Sequence, residues 1–190
     1  MRNLSTLIVV VLLVSCGNPK VSYLGQKTPG TSPELFAPSI VNTDSIELNA
    51  VFNNLMTEFF FTRIINGSYV IYHAELIDDQ WTAPNAIPMF PETAVNTTAV
   101  DMSLTPDGNT MYFLGVLHEN ETLDAPSDIY RSQKVNGKWQ MAEKVEYPIS
   151  TDEYSEAYPV IVADGSLYFV SDRPGGFGKQ DIYRAQYLWG

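Results

Sequence analysis

The glycine-rich loop from Arg173 to Lys179, RPGGFGK, is the first stretch whose residues could do chemistry. Loops of this composition can present backbone N–H groups to a phosphate. A phosphate-binding P-loop, however, needs Ser or Thr directly after its Lys, and Gln180 occupies that position. The loop also joins two predicted strands rather than opening a helix, so no helix dipole favours an anion there. The sequence therefore predicts a tight turn in which Gly175 and Gly176 serve the backbone.

Histidine or metal chemistry is a second possibility, because the chain has two histidines. His118 opens the segment HENET, which resembles a zincin motif but lacks its second histidine and has the composition of a loop. His73 lies alone on a predicted strand. We expect both side chains to be solvated or packed, with no catalytic role. No cofactor is predicted, and the acidic composition leaves calcium binding open although no EF-hand pattern is present.

Cys16 is the one cysteine of the chain, so no intramolecular disulfide can form. Residues 1–15 carry Arg2 and an apolar run from Leu7 to Val14, which is too short for a bilayer that needs about 20 apolar residues. We interpret them as a signal peptide. The sequence LVSC resembles a bacterial lipobox, which implies that Cys16 is acylated and anchors the protein to a membrane. In the alternative interpretation, Cys16 merely ends an ordinary secretory signal.

The region after the signal is acidic and begins with a polar segment. Residues 16–32 are rich in Gly, Pro, Ser and Thr and predict a flexible tether. The whole chain has 11 Lys and Arg against 22 Asp and Glu, a formal net charge of −11. Because this charge repels phosphate backbones, nucleic-acid binding is not expected.

The remainder, residues 33–190, contains one unit of short strands in three copies, at about 47–92, 99–151 and 153–190. Aromatic and β-branched strands alternate with Pro, Gly, Asn and Asp, and no helical periodicity is sustained. Phe59, Tyr112 and Tyr168 are expected to be equivalent. The recurring motif residues are Asp107, Gly108, Asp128, Tyr130, Asp164, Gly165, Asp172, Arg173, Gly175, Gly176, Asp181 and Tyr183.

These motifs, PDGxxxYF, NGKW and SDRPGGFGxxDIY, resemble the WD40-like PD40 repeats of bacterial TolB-type β-propellers. The resemblance implies an all-β fold, a partial propeller of about three blades built from four-stranded antiparallel sheets. It also implies structural roles for the motif residues. Asp107 and Asp164 belong to hairpin turns, Asp128 and Asp181 cap backbone groups, and Asp172 and Arg173 hold neighbouring backbone. The recurring aromatic residues are expected to pack between sheets.

The third copy ends where its fourth strand should begin, and Pro33 to Thr43 loosely resembles the end of a repeat. Three interpretations stay open: a truncated member of a longer family, an open half-ring, or a homodimer completing six blades.

Function is equally open. The first hypothesis is a non-catalytic envelope lipoprotein, exported to the outer membrane and facing the periplasm, that contacts an envelope protein or peptidoglycan-associated partner. The others are a glycan- or ligand-processing propeller whose active residues lie in missing blades, and a degenerate fragment.

Overall fold

The computed structural model of the protein describes residues 24, 26–118 and 126–186. Cys16, the predicted signal peptide and most of the predicted tether lie outside these residues. Within them every regular element is a β-strand, and no helix is long and apolar enough to cross a membrane. The strands are β1 (Glu47–Phe52), β2 (Glu58–Ile65), β3 (Ser68–Ile77), β4 (Gln80–Trp81), β5 (Asn85–Ala86), β6 (Val95–Leu104), β7 (Thr110–His118), β8 (Asp128–Val135), β9 (Lys138–Trp139), β10 (Glu143–Lys144), β11 (Glu156–Ile161), β12 (Ser166–Ser171) and β13 (Asp181–Gln186).

The strands form three successive antiparallel sheets with the same order. Blade 1 is β1-β2-β3-β5, blade 2 is β6-β7-β8-β10, and blade 3 is β11-β12-β13. In the first two blades a short hairpin strand, β4 or β9, pairs with the far end of the third strand. A single parallel bridge between Tyr69 and Thr98 connects blades 1 and 2. This repeated pairing confirms the predicted all-β, partial propeller-like fold.

The aromatic residue Phe60, not Phe59, is the blade 1 equivalent of Tyr112 and Tyr168, so the predicted register of the first repeat was wrong by one residue. The pairing with the third strand decides this: Phe60 pairs with His73, as Tyr112 does with Arg131 and Tyr168 with Arg184. The error arose because FFF offers three similar positions and the first repeat has no Asp-Gly turn to fix the count.

In all three blades, the turn between the first and second strands is closed by an amide that donates to the carbonyl three residues earlier, although the hairpin of blade 3 is one residue shorter than the other two. One residue there has a positive φ: Gly108 at 71° and Gly165 at 80°, but Met56 at 57° in blade 1. Glycine adopts this conformation without strain, whereas Met56 places a Cβ in the unfavourable left-handed region. The structural counterpart of Asp-Gly in blade 1 is therefore Leu55-Met56, rather than the nearby Asn53-Asn54.

A phenylalanine of the second strand stacks on a tyrosine of the third strand in every blade. Interplanar angles are 25°, 23° and 24°. The pairs are Phe61 with Tyr72, Phe113 with Tyr130, and Phe169 with Tyr183, with ring centroids 5.5, 6.0 and 5.9 Å apart. We call the sheet face that carries this pair the stacked face of each blade.

Each blade packs the face opposite its stacked face against the stacked face of the next blade. The hydrophobic core lies between these two faces. Between blades 1 and 2, Phe60 and Ile71 pack with Met111, Phe113 and Tyr130. Between blades 2 and 3, Tyr112 and Ile129 pack with Leu167 and Phe169. The stacked face of blade 1 is covered instead by chain that precedes the sheet, through Leu24, Ala37 and Val41.

Candidate interaction surface

The predicted turn aspartates hold their own hairpins. The Asp107 carboxylate accepts hydrogen bonds from Thr105 Oγ1 at 2.6 Å and from the Asn109 amide at 3.1 Å. The Asp164 carboxylate accepts one from the Ser166 amide at 2.8 Å. These bonds favour the ionised form and lower the pKa of both carboxyl groups, chiefly through Thr105 for Asp107 and through the Ser166 amide for Asp164. Both residues are committed to local structure.

Asp172 and Arg173 connect blade 3 to the chain that enters it. The Asp172 carboxylate accepts the Ser155 amide at 2.8 Å. The Arg173 guanidinium donates to the Pro148 carbonyl at 2.8 Å and to the Glu156 carboxylate at 2.9 Å. Glu156 is fully buried, so Arg173 supplies the counter-charge that a buried carboxylate requires.

The same contacts recur around blade 1 with different residues. The Arg63 guanidinium donates to the Val41 carbonyl at 2.8 Å and to the Glu47 carboxylate at 3.0 Å. Both arginines also lie over the stacked pair of their blade, with Arg63 4.7 Å from the Tyr72 ring centroid and Arg173 5.2 Å from that of Tyr183. Each arginine therefore fixes an incoming segment onto a stacked face.

The glycine-rich loop is closed by Asp181, whose carboxylate accepts the Phe177 and Gly178 amides at 2.9 and 3.0 Å. Gly175 has a φ of 98°, and a Cβ at Gly176 would lie 1.9 Å from Asp181 Oδ2. The loop is thus a turn folded around its own aspartate. The Phe177 and Gly178 amides already donate to the Asp181 carboxylate, so they are not available to bind a phosphate.

Asp128, the repeat equivalent of Asp181, forms an ion pair instead, with Lys144 Nζ at 3.0 Å. Burial raises the pKa of Asp128 and outweighs the opposing effect of Lys144. The Lys144 pKa is raised too, because its bonds to Asp128 and Asp152 outweigh the desolvation that would lower it. The pair links β8 to β10 within blade 2.

A polar cluster that the sequence did not indicate joins blades 1 and 2. His73 Nε2 lies 2.9 Å from Glu58 Oε2 and 3.7 Å from Glu75 Oε1, and Lys134 of blade 2 contacts Glu58 directly. Burial alone would raise the pKa of Glu58, but the bonds from His73 and Lys134 lower it below the usual value. The three ligand atoms are near enough for a divalent ion. The Lys134 ammonium already neutralises Glu58, so the arrangement suits an ion-pair network better than a metal.

His73 is further restrained because its ring stacks on Phe60 with centroids 4.4 Å apart. The other histidine, His118, ends β7, and its side chain lies outside the described part of the chain. So do residues 119–125, which hold the remainder of the HENET segment.

One sheet face in blade 3 remains uncovered in the described structure, and we call it the open face. Cross-strand pairing places its members on one side: Val160, Tyr168 and Arg184 are in register, as are Val170 and Ile182. Val160 is 51% exposed and Ile182 is 77% exposed. Exposed apolar side chains that share one sheet face are characteristic of a surface that another protein covers.

The equivalent faces of blades 1 and 2 show how unusual this exposure is. Ile71 and Ile129 occupy the repeat position of Ile182, and each is 0% exposed. Neighbouring polar groups there bond to the next blade: Thr62 Oγ1 donates to the Ala99 carbonyl and Ser103 Oγ accepts the Ile161 amide, both at 3.1 Å. The repeat thus encodes this face for packing, whereas in blade 3 none of the described residues covers it.

The outer strand of blade 3 adds backbone groups to this surface. Within the described residues, β13 pairs only with β12, whereas β3 and β8 also pair with β5 and β10. A cleft of about 710 Å³ lies beside the end of β13, lined by Arg131, Lys144, Tyr147 and Gln186 among others. The open face and the free edge of β13 together form a candidate interaction surface.

No protein-family model and no curated protein matches the chain by sequence. Among solved structures, it is similar to a Mycobacterium tuberculosis puromycin-hydrolyzing peptidase, with 15% identity and a TM-score of 0.49 over 75% of this chain and 22% of that one. It is also similar to a protein described as TolB from Agrobacterium tumefaciens, with 14% identity and a TM-score of 0.33 over 76% of this chain and 59% of that one. The chain thus spans 22% and 59% of these structures. At such values the fold assignment depends on the strand pairing described above.

Proposed function

We propose that this chain is a non-catalytic protein-binding module of the bacterial cell envelope, and that its binding surface is the open face of blade 3. The observation that supports this function most directly is the 77% exposure of Ile182, at a repeat position that is 0% exposed in both other blades. An apolar sheet face beside an unpaired strand edge is a site for adding another β-structure.

The polar groups that could have supported catalysis have structural partners instead. His73 is engaged by Glu58 and stacked on Phe60, and the amides of the glycine-rich loop bond to Asp181. Asp107, Asp164 and Asp172 hold local backbone. These commitments favour a binding role over an enzymatic one for the described part of the chain.

The envelope location forms part of the proposal and depends on the sequence alone. A signal peptide would export the protein, and an acylated Cys16 would hold it on a membrane. The proposed membrane is the outer membrane, with the protein facing the periplasm. Residues 16–32 would then separate the lipid from the sheets.

Site-specific photocrosslinking in intact cells tests the binding surface. A photoreactive phenylalanine analogue replaces Ile182 or Val160 in the full chain, and adducts are identified by mass spectrometry. We expect discrete protein adducts from both positions, because both side chains lie on the open face.

Ile77 is the matched control, because it is an exposed β-strand isoleucine, at 52%, in blade 1. The probe there should give several-fold fewer adducts. Equal yields at Ile77 and Ile182, or none at either open-face position, would overturn the proposed surface.

A further inference from the structure

The segment before blade 1 occupies the place that the end of blade 2 occupies before blade 3. Arg63 donates to the carbonyls of Ile40 and Val41, and Arg173 donates to those of Pro148 and Ile149. Thr43 Oγ1 bonds the Glu47 carboxylate at 2.6 Å. Thr151 Oγ1 bonds that of Glu156 at 3.2 Å. The two segments are therefore aligned residue by residue through 40–43 and 148–151.

Continuing this alignment backwards makes Leu35 and Phe36 the counterparts of Glu143 and Lys144, which form β10. Ala37 then corresponds to Val145, and both side chains are buried, at 1% and 4% exposed. Residues 35–37 are thus the equivalent of a blade's fourth strand. In the described structure they have no third strand beside them.

The side chain of Gln26 fills the place of that third strand. In blade 2 the Val145 amide donates to the Ile129 carbonyl of β8 at 2.8 Å. The equivalent Ala37 amide donates to Gln26 Oε1 at 2.9 Å, and Gln26 Nε2 donates to the Leu35 carbonyl at 3.1 Å. One carboxamide therefore supplies the donor and the acceptor that a neighbouring peptide group would supply. Leu24, 4% exposed, covers the adjacent stacked face.

Within residues 24, 26–118 and 126–186, segment 35–37 is therefore a fourth strand without a sheet, and blade 3 is a sheet without a fourth strand. We propose that a second copy of this chain joins the two. Residues 35–37 of one copy pair with β13 of the other, and the open face of blade 3 packs on the stacked face of blade 1, displacing Leu24 and Gln26. This proposal rests on the proposed binding surface and names its occupant.

The contact is heterologous, and two equal contacts of this kind close a two-fold pair of copies. Its chemistry is matched on both sides. Apolar Ile182 and Val160 meet an apolar aromatic face, and the free backbone groups of β13 meet those that Gln26 now satisfies. Leu35, 64% exposed, becomes part of a continuous sheet.

Blade 2 supplies the register of the new pairing. Glu143 pairs with Arg131, whose blade 3 equivalent is Arg184, so Leu35 of one copy should lie opposite Arg184 of the other. Directly opposed residues in antiparallel strands have Cα atoms about 4.5–5.5 Å apart, within the range that a disulfide can bridge.

Two single variants of the full chain, Leu35→Cys and Arg184→Cys, test this register when they are produced in the same cells and mildly oxidised. We expect a reductant-sensitive species of twice the mass of the single processed chain in the mixture, several-fold above its level in either variant alone. The unsubstituted chain shows any background from Cys16. Pairing Leu35→Cys with Val135→Cys, an exposed position on β8, should stay at that background.

The cross-link should fall several-fold when Ile182→Glu is added to the Arg184→Cys chain, and remain when Ile77→Glu is added instead. Far-UV circular dichroism establishes that both variants retain strand content. Failure of the Leu35–Arg184 cross-link in folded chains overturns the second copy as occupant. If photocrosslinking at Ile182 still yields a different protein, the proposed function survives; if neither signal is obtained, both proposals fall.

Discussion

Glu156 depends on Arg173 for its counter-charge, because its carboxylate is fully buried between blades 2 and 3. Replacing Arg173 by Ala leaves that carboxylate without its ion pair and frees the Pro148 and Ile149 carbonyls. We expect the free energy of unfolding to fall by about 3 kcal/mol, the usual effect of breaking a buried pair from one side. Urea unfolding followed by circular dichroism measures it.

Arg184→Ala is the control for this change. Arg184 also pairs with a carboxylate, that of Asp164, but both side chains are more than half exposed. The expected loss is below about 1 kcal/mol, as for most surface ion pairs. Equal losses of unfolding free energy from the two variants would contradict the stabilising role of the buried Glu156–Arg173 ion pair.

The Glu58 cluster predicts a specific response to acid. Hydrogen bonds from His73 and Lys134 hold the Glu58 pKa below 4.5, its ordinary value, despite burial. A lowered carboxyl pKa stabilises the fold above the unfolded pKa, and this stabilisation is lost as the pH falls through the folded pKa. Lys134→Met should therefore reduce stability at neutral pH by about 1 kcal/mol or less and flatten its decline between about pH 5 and pH 3.

Urea midpoints measured across this pH range, with Lys138→Met as an exposed control, provide the comparison. Asp107 and Asp164 contribute acid sensitivity of the same sign, but they do so equally in all three proteins. Parallel pH curves for the parent chain and Lys134→Met would show that Glu58 does not depend on Lys134.

Sequence patterns predicted the roles of some individual residues but not of others. The Asp-Gly turns and the tight RPGGFG loop could be inferred because turn chemistry is local: glycine tolerates positive φ and aspartate bonds the next amides. Glu58, His73 and Lys134 could not be grouped, because Lys134 belongs to a different repeat. Gln26 gave no signal either, since its side chain bonds to Leu35 and Ala37 where a neighbouring strand would bond in another blade, and no sequence motif marks that role.

At the scale of elements, the first hairpin of blade 1 carries avoidable strain. Met56 has a φ of 57° where the other two blades use glycine. Met56→Gly should raise the free energy of unfolding by about 1 kcal/mol, because the left-handed penalty exceeds the entropy that glycine costs.

The reciprocal change, Gly108→Ala, should lower the free energy of unfolding by a similar amount. Its new Cβ would meet only Asn53 Cβ at 3.8 Å, an ordinary contact, so backbone conformation is the isolated cause. Thermal melts of both variants against the parent chain measure the shifts. A destabilising Met56→Gly would indicate that the Met56 side chain contributes more by packing than its backbone loses.

Strand content and the three-fold repeat could be predicted because alternation and turn residues recur in the sequence. The division of the fourth strand into two short pieces, β4 with β5 and β9 with β10, could not. Nor could the bulge in each first strand, where Asn49, Asp101 and Tyr158 share a positive φ. Asn and Asp tolerate the left-handed region, but Tyr does not share that tendency, so only the backbone reveals that all three positions are equivalent.

At the scale of the whole molecule, the proposed attachment to a membrane would depend on one thiol, that of Cys16. Cys16→Ser should move the protein from the membrane fraction to the soluble envelope fraction, because the proposed lipid is attached through the cysteine sulfur, which serine lacks. Immunoblotting of the fractions and the mass of the N-terminal peptide measure the effect. A Cys16→Ser chain that stays with the membrane, or an unmodified Cys16 in the parent chain, would contradict the anchor.

Ile71 and Ile129, the repeat equivalents of Ile182, lie in cores, and only the assembled sheets reveal that nothing in the described chain covers Ile182. The exposure of a side chain depends on what packs against it in the folded protein, and a repeat alignment does not contain that information. The sequence similarly indicated that Pro33 to Thr43 resembles the end of a repeat, but the pairing with Arg63 was needed to define its register.

The tryptophans of the first two blades provide a separate optical signal for each interface. Trp81 packs in the cluster between the N-terminal segment and blade 1, whereas Trp139 packs in the core between blades 1 and 2. Chains that keep one of them, with the other and Trp189 changed to Phe, would emit from a single known location. Fluorescence during dilution out of denaturant would then report whether the N-terminal segment docks before or after the first two blades come together.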